Sequence, residues 1–235
     1  LGYEDPFLAV REPFQMWGIQ GDESLAENLP FVKAGLPGVF VTPDVTPYKK
    51  RKVRILNGAH TAFVPGSWVA GFDIVRDCMH DETIRGFMNT MLYDEVIPTL
   101  AADLDVEDCK AFAAAVENRF DNPFIDHALL SICLNSTAKW RARDLPTLKD
   151  YVAETGNLPK CLATSLATLI SFYTQELVSR EGDGLHLRRS DGTEYTAQDD
   201  AFVLDFYAAH AGADDAQLVH DVLTNEQMWG EALTL

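Results

Sequence analysis

Apolar residues three and four positions apart recur along most of this chain, and that period restricts it to a helical fold. Ile84, Phe87, Met88, Met91, Leu92 and Val96 form one stripe, closed by Pro98. Cys109, Phe112, Ala113, Val116 and Phe120 form a second, with Asp105 placed to cap it. Leu162, Leu166, Leu169, Ile170, Tyr173 and Leu177 mark the most apolar helix, expected at the centre of the core. Thr147 is expected to open a further helix that Gly156 closes. Two amphipathic helices are predicted in the tail, around Phe202, Val203 and Phe206 and around Leu218, Val219, Val222 and Leu223. Strand signals are short. Phe14 to Ile19 and Gly38 to Val41 flank an acidic loop or short helix at 22–27, and Gly182-Asp183-Gly184 with Asp191-Gly192 predicts a hairpin. The class predicted is mainly α, a multi-helix domain over 49–235 preceded by a connecting segment, 1–48, with a few short strands near the N-terminus.

Composition narrows the partners. The chain has 36 acidic and 19 basic residues among 235, a net charge of −17, which argues against nucleic acid and against anionic membranes. No apolar run approaches the roughly 20 residues that span a bilayer. No signal-peptide pattern is present, and the chain opens on Leu1, so a preceding segment is expected. Cys78, Cys109, Cys133 and Cys161 are widely spaced in apolar contexts and read as free thiols in a reducing cytoplasm. The six histidines form no His-Glu-x-x-His pattern, so no metal is predicted.

Against that acidic background, Lys49, Lys50, Arg51, Lys52 and Arg54 concentrate five of the 19 basic residues at what reads as a helix start. Cations there oppose the helix macrodipole. A solvated basic face with a satisfied core histidine accounts for the pattern at its plainest, and it suits Lys49 and Lys50 individually. The same stretch also carries Lys52, Asn57 and His60. Asn57 and His60, three apart, share a helix face. Lys52, five before Asn57, would reach it through its long side chain. A lysine, a neutral amide and an imidazole can together remove a proton from a hydroxyl and hold the charge that develops. Neighbouring cations and partial burial would lower the lysine pKa toward neutrality, and their field would attract an anionic substrate.

The pattern Lys-x-x-x-x-Asn-Gly-x-His over 52–60 resembles the active-site signature of the mannitol dehydrogenase family of long-chain, metal-independent polyol and sugar-acid dehydrogenases. The longer string Arg51-Lys52-Val53-Arg54-Ile55-Leu56-Asn57-Gly58-Ala59-His60-Thr61 looks most like its tagaturonate reductase (altronate oxidoreductase) branch. The resemblance extends over most of the chain. Glu12-Pro13-Phe14-x-x-Trp17 is similar to a segment that follows the cofactor domain in these enzymes, and Arg119-Phe120-x-Asn122-Pro123 resembles their second signature. It implies a C-terminal substrate domain of an NAD-dependent oxidoreductase interconverting tagaturonate and altronate. Lys52 would be the general acid in reduction and base in oxidation, Asn57 the alkoxide donor and His60 the holder of a neighbouring hydroxyl. The resemblance places a helix after the second signature, on which Lys139 matches a substrate-binding lysine, but the arginine expected eight residues earlier on that helix is Ser131. That departure weighs against simple hexitols. His127, which could equally be a capped or surface histidine, is the natural new candidate for a carboxylate or hydroxyl.

No Gly-x-Gly-x-x-Gly turn is present to cradle a dinucleotide, and Gly182-Asp183-Gly184 follows a helix, the wrong context. The resemblance therefore implies that NAD is bound mainly by an N-terminal Rossmann domain outside this sequence, which would also supply a second oxyanion-binding asparagine. Fructuronate reductase and mannitol 2-dehydrogenase are the neighbouring readings. A non-catalytic helical binding or assembly domain is the reading of another class.

Overall fold

The computed structural model describes residues 2, 4, 6, 7 and 14–233. Glu12 and Pro13 of the N-terminal similarity lie outside the described residues. The chain divides into two compact units, Leu1–Lys50 and Arg51–Leu235.

In the first unit, β1 (Trp17–Gln20) pairs in parallel with β2 (Val39–Thr42), Trp17 opposite Val39. A parallel pair needs a crossover. Here it runs through α1 (Glu23–Asn28), capped by Asp22 accepting from the Leu25 amide at 3.1 Å, and α2 (Pro30–Lys33). Trp17 stacks on Phe31 across the crossover, ring centres 5.1 Å apart. Gly38 has φ +75° and lies so close to the Gln15 carbonyl that no Cβ would fit. α3 (Thr46–Arg51) follows, its first amide held by Asp44 Oδ1 at 2.8 Å. This corrects one expectation: the helix starts at Thr46, an acidic cap serves it, and Lys49 and Lys50 lie beyond its first residues.

The second unit is almost wholly helical. Arg51 has helical dihedrals, so the π-helical turn Lys52–Asn57 begins without a cap and passes into α4 (Gly58–Val69). α5 (Val75–His80) and α6 (Glu82–Thr90) follow, then a second π-helical turn, Met91–Val96, and a 3-10 turn at Pro98–Leu100. α7 (Val106–Phe120) is capped by Asp105 as expected, through the Asp108 amide at 2.9 Å. α8 (Leu129–Ile132), α9 (Ser136–Arg143), α10 (Leu145–Thr155) and α11 (Lys160–Tyr173) complete the main body. α10 begins at Leu145, before Thr147. The Thr147 hydroxyl is taken by Arg54 at 2.5 Å, so it caps nothing. Gly156, φ +69°, ends the helix as predicted.

The strands are not confined to the N-terminal region. β3 (Glu176–Glu181), β4 (Gly184–Arg188) and β5 (Glu194–Ala197) form an antiparallel meander, its turns at the Asp-Gly pairs identified in the sequence. α12 (Ala201–Ala209), α13 (Asp215–Leu223) and α14 (Glu226–Trp229) close the chain.

α4 and α11 form the centre of the core. α11 buries Leu162, Leu166, Leu169, Ile170, Phe172 and Tyr173, and α4 buries Ala59, Ala62, Phe63 and Val64. The helices approach closely at Gly66, where a Cβ would meet the Thr168 side chain at 3.0 Å. α11 is pinned by polar contacts at two points. Trp140 Nε1 donates to Ser165 Oγ at 2.8 Å. Glu95, 5% exposed, accepts from the Cys161 and Leu162 amides at 2.7 and 2.9 Å, satisfying two orphan donors at the α11 N-terminus from 66 residues away. Its charge is matched by the positive end of the helix. Glu95→Ala is therefore expected to destabilise this unit by about 2–3 kcal/mol, the scale of charge-assisted bonds lost together with a cap. Urea unfolding at neutral pH checks this, and a loss under about 0.5 kcal/mol, the level of ordinary surface changes, would show that Glu95 does not hold α11.

Candidate active site

Lys52 and Asn57 open and close one π-helical turn. Backbone hydrogen bonds in such a turn span five residues, and single π turns are found mostly at functional sites. The wide turn sets Lys52 and Asn57 one turn apart on the same side, so the alignment expected from a long reach is produced by the backbone itself. Gly58 then starts α4. A Cβ there would lie 2.8 Å from Asp144 Oδ1, so the Asn57–Gly58 step lets the junction of α9 and α10 press against this turn. Arg54, inside the turn, donates to Asp150 at 3.3 Å as well as to Thr147 and ties it to α10. The Lys52 ammonium and Asn57 carboxamide make no hydrogen bond to another described residue.

His60, one turn further on, stacks on Phe120 with ring centres 4.0 Å apart and planes 21° from parallel. His127 meets the same ring edge-on at 5.5 Å. Nε2 of His60 is buried and has no hydrogen-bond partner among the described residues. Burial, and after it the charges of His127, Arg143, Arg119 and Lys52, pushes its pKa down to about 3, so the ring is neutral at physiological pH. Lys52 also has a pKa below the usual lysine range, first from burial and then from Arg143 and Arg119.

The second signature folds differently from its expected helix. α7 ends at Phe120, which supplies the His60 stack, and Asn122 caps the following turn by accepting from the Phe124 amide at 3.0 Å. His127 lies in an extended segment held to the start of α5: its carbonyl accepts from Val75 N at 3.0 Å, and Ala128 bridges Ile74. Asp126 pairs with Arg76 at 2.6 Å rather than with His127. Burial lowers the His127 pKa. The helix expected to carry both Ser131 and Lys139 is broken at Asn135, whose φ of +54° separates α8 from α9. Ser131 is exposed and its hydroxyl donates to the Ala128 carbonyl at 2.7 Å. Lys139 Nζ donates to the Ile132 carbonyl at 2.8 Å, and burial together with Arg143 lowers its pKa.

The structure thus sets His127 against His60 and Lys52 within charge interaction of it, ends on Asn57 the turn that Lys52 begins, links Lys139 to Arg143 through charge, and shows no contact between Ser131 and that group. Arg143 and Phe120 were not expected as site residues. Arg143 Nη1 donates to Thr61 Oγ1 at 3.0 Å, on the turn that carries His60. Its only local signal was the cluster Arg141-Ala142-Arg143 ending α9. An apolar cavity of about 580 Å³ between α10, α11 and α13 is lined by none of these residues.

The described residues offer no dinucleotide cradle. Gly182 and Gly184 flank the tip of the β3–β4 hairpin. In the β1–α1 turn the Asp22 carboxylate already accepts from the Leu25 amide, where a pyrophosphate would need a free donor. Among the described residues no group of three or more His, Cys, Asp or Glu side chains could hold a metal ion, and no helix is long and apolar enough to cross a membrane. The four cysteines are free.

Comparison with known proteins identifies the chain's relatives. Residues 44–234 match the sequence profile of the mannitol dehydrogenase C-terminal domain. The chain belongs to the mannitol dehydrogenase family. It is 41% identical to an altronate oxidoreductase of Yersinia enterocolitica, over 100% of this chain and 46% of that protein. It is 43% identical to an altronate oxidoreductase of Pectobacterium carotovorum, over 100% of this chain and 47% of that protein. The chain thus spans about half the length of the curated relatives it matches. Among solved structures, Pseudomonas fluorescens mannitol 2-dehydrogenase in ternary complex with NAD and D-mannitol superposes with a TM-score of 0.69 at 25% identity, over 83% of this chain and 36% of that one. A D-sorbitol dehydrogenase shares the fold, with a TM-score of 0.60 at 20% identity, over 87% of this chain and 36% of that one. The family's C-terminal helical domain, expected from the sequence, is the fold observed.

Proposed function

We propose that this chain is the substrate-binding and proton-transfer part of an NAD-dependent cytoplasmic oxidoreductase that interconverts tagaturonate and altronate. The observation that carries the reading is the π-helical turn that aligns Lys52 with Asn57 next to a neutral His60, in a chain whose relatives are altronate oxidoreductases. In this reading residues 1–48 connect an N-terminal Rossmann domain of the same polypeptide to the helical domain, 49–235. The relatives' length, about twice that of this chain, supports it. The nicotinamide cofactor would be held there, NADH supplying the hydride in reduction and NAD taking it in oxidation.

The chain's own residues handle the proton and the charge, without a metal. In reduction, protonated Lys52 donates to the oxygen of the tagaturonate ketone as it becomes an alkoxide, and in oxidation neutral Lys52 accepts the proton back. A lowered pKa brings both forms closer to working pH, consistent with its buried, cationic surroundings. Asn57 donates its amide N–H to the same oxygen, and being uncharged it does so in both directions. His60, neutral and with an unused buried nitrogen, holds an adjacent hydroxyl. Lys139, His127 and Ser131 would meet the substrate further out, Ser131 with least support because its hydroxyl is turned onto its own helix.

The test is NADH oxidation by the full-length protein with tagaturonate, fructuronate and fructose in parallel. A clear preference for tagaturonate is expected. Preference for fructuronate or fructose would keep the chemistry and change the substrate, and inactivity with all three would leave a helical binding domain as the better reading.

A further inference from the structure

We propose that Arg143 is the receptor for the substrate carboxylate, the residue that selects a sugar acid over an uncharged sugar. This rests on the sugar-acid reading above and deepens it.

The geometry that points to Arg143 is its attachment to the reacting turn. Its guanidinium donates to Thr61 Oγ1 at 3.0 Å, and the buried Thr61 hydroxyl donates in turn to the Asn57 carbonyl at 2.9 Å. One hydroxyl can accept and donate at once, so the chain Arg143–Thr61–Asn57 is satisfied at both joints. The close approach of Asp144 to Gly58 presses the end of α9 against the same turn from the neighbouring position. Arg143 is therefore tied to the segment that carries Asn57 and His60, directly through Thr61 and through the approach of its neighbour Asp144 to Gly58.

Its guanidinium fork is not used by a carboxylate of the chain. Arg143 is half-buried, yet Thr61 is its only hydrogen-bond partner among the described residues; the buried Asp144 beside it acts on it through charge but makes no hydrogen bond or ion pair with it. Other partly or fully buried arginines of this unit are paired: Arg54 with Asp150, Arg76 with Asp126, Arg180 with Asp205 and Arg189 with Asp191. In a chain with 36 acidic residues and 19 basic ones, a half-buried guanidinium with no carboxylate hydrogen-bonded to it keeps its fork open to one. Its planar fork matches a carboxylate through two parallel bonds, which a hydroxyl cannot reproduce. Lys139, four residues earlier and so on the same face of α9, adds a second positive charge.

The experiment compares dissociation constants of altronate and of its uncharged counterpart altritol by calorimetry, using full-length wild type, Arg143→Ala and Arg143→Lys. Arg143→Ala is expected to weaken altronate on the order of 100-fold more than altritol, the scale for losing a charged partner. Arg143→Lys, which keeps the charge and loses the fork, should fall between. Added guanidinium at millimolar concentration should restore altronate binding to the alanine variant, which also shows that the variant is folded. Equal weakening of both ligands, without rescue, would overturn the assignment while the sugar-acid reading stands. A wild type that binds altronate no better than altritol would overturn that reading and this proposal with it.

Discussion

Lys52→Ala in the full-length protein is expected to cut turnover by about two to four powers of ten, the usual scale for losing a general acid–base group. Cofactor affinity should stay near normal, because no described residue around Lys52 forms a dinucleotide cradle. The pH profile of the wild type supplies a second readout with a definite sign. Burial, then Arg143 and Arg119, depresses the Lys52 pKa. Reduction needs the protonated amine, so its rate should fall as pH rises through that depressed value. Oxidation needs the neutral amine, so its rate should rise over the same interval. The two limbs should cross below the ordinary lysine range, and both should vanish in Lys52→Ala. A small effect confined to KM, with the limbs intact, would move Lys52 from proton transfer to binding.

Lys52 was legible because its spacing to Asn57 and His60 is a local property of the chain. The reason for the spacing was not. A regular α-helix does not put residues five apart on one face, and only the π-helical turn shows that the backbone widens at this point to do so. What failed more generally was whatever depends on a partner distant in sequence. Thr147 looks like a cap by residue type, but Arg54, 93 positions earlier, has its hydroxyl. Asn135 breaks a helix that the family resemblance implied over Ser131 to Lys139, and asparagine's tolerance of the left-handed region was the only hint. Arg143 reaches the site across 82 positions through Thr61, a contact no local pattern encodes. Conversely, the apolar stripes marked the helices of the core, since burial of one face is what such a stripe requires, although Leu177, read as the end of the central helix, lies in β3 beyond Tyr173. Glu95 shows how a break in a stripe can be read: a charge between Leu92 and Val96 has to find partners, and it finds two amides of α11.

His60 carries the other large expected effect, and its sign follows from the same burial. In the folded chain its pKa is about 3, against an ordinary 6.5 for an exposed histidine. Between those values the unfolded chain binds a proton that the folded chain refuses, so stability rises with pH across that window and is lost as pH falls from 6.5 toward 3. The gap corresponds to on the order of 3–5 kcal/mol at its full extent, and to roughly 2–3 kcal/mol between pH 7.5 and 4.5. His60→Phe keeps the stack on Phe120 and removes both the titration and the buried, unpartnered Nε2. The variant should therefore be at least as stable as wild type at pH 7.5 and clearly more stable at pH 4.5. Urea unfolding followed by tryptophan emission can report it, since Trp68, Trp140 and Trp229 are all buried in this unit. Parallel pH curves for the two proteins would mean that His60 titrates normally and is not enclosed. Activity should move the other way, with kcat/KM falling about 10- to 100-fold for want of a polar hydrogen-bond partner. A ring that costs the fold stability and returns a hydrogen bond only to a ligand is explained by the ligand. A phenylalanine that improved stability and left kcat/KM intact would remove His60 from the site.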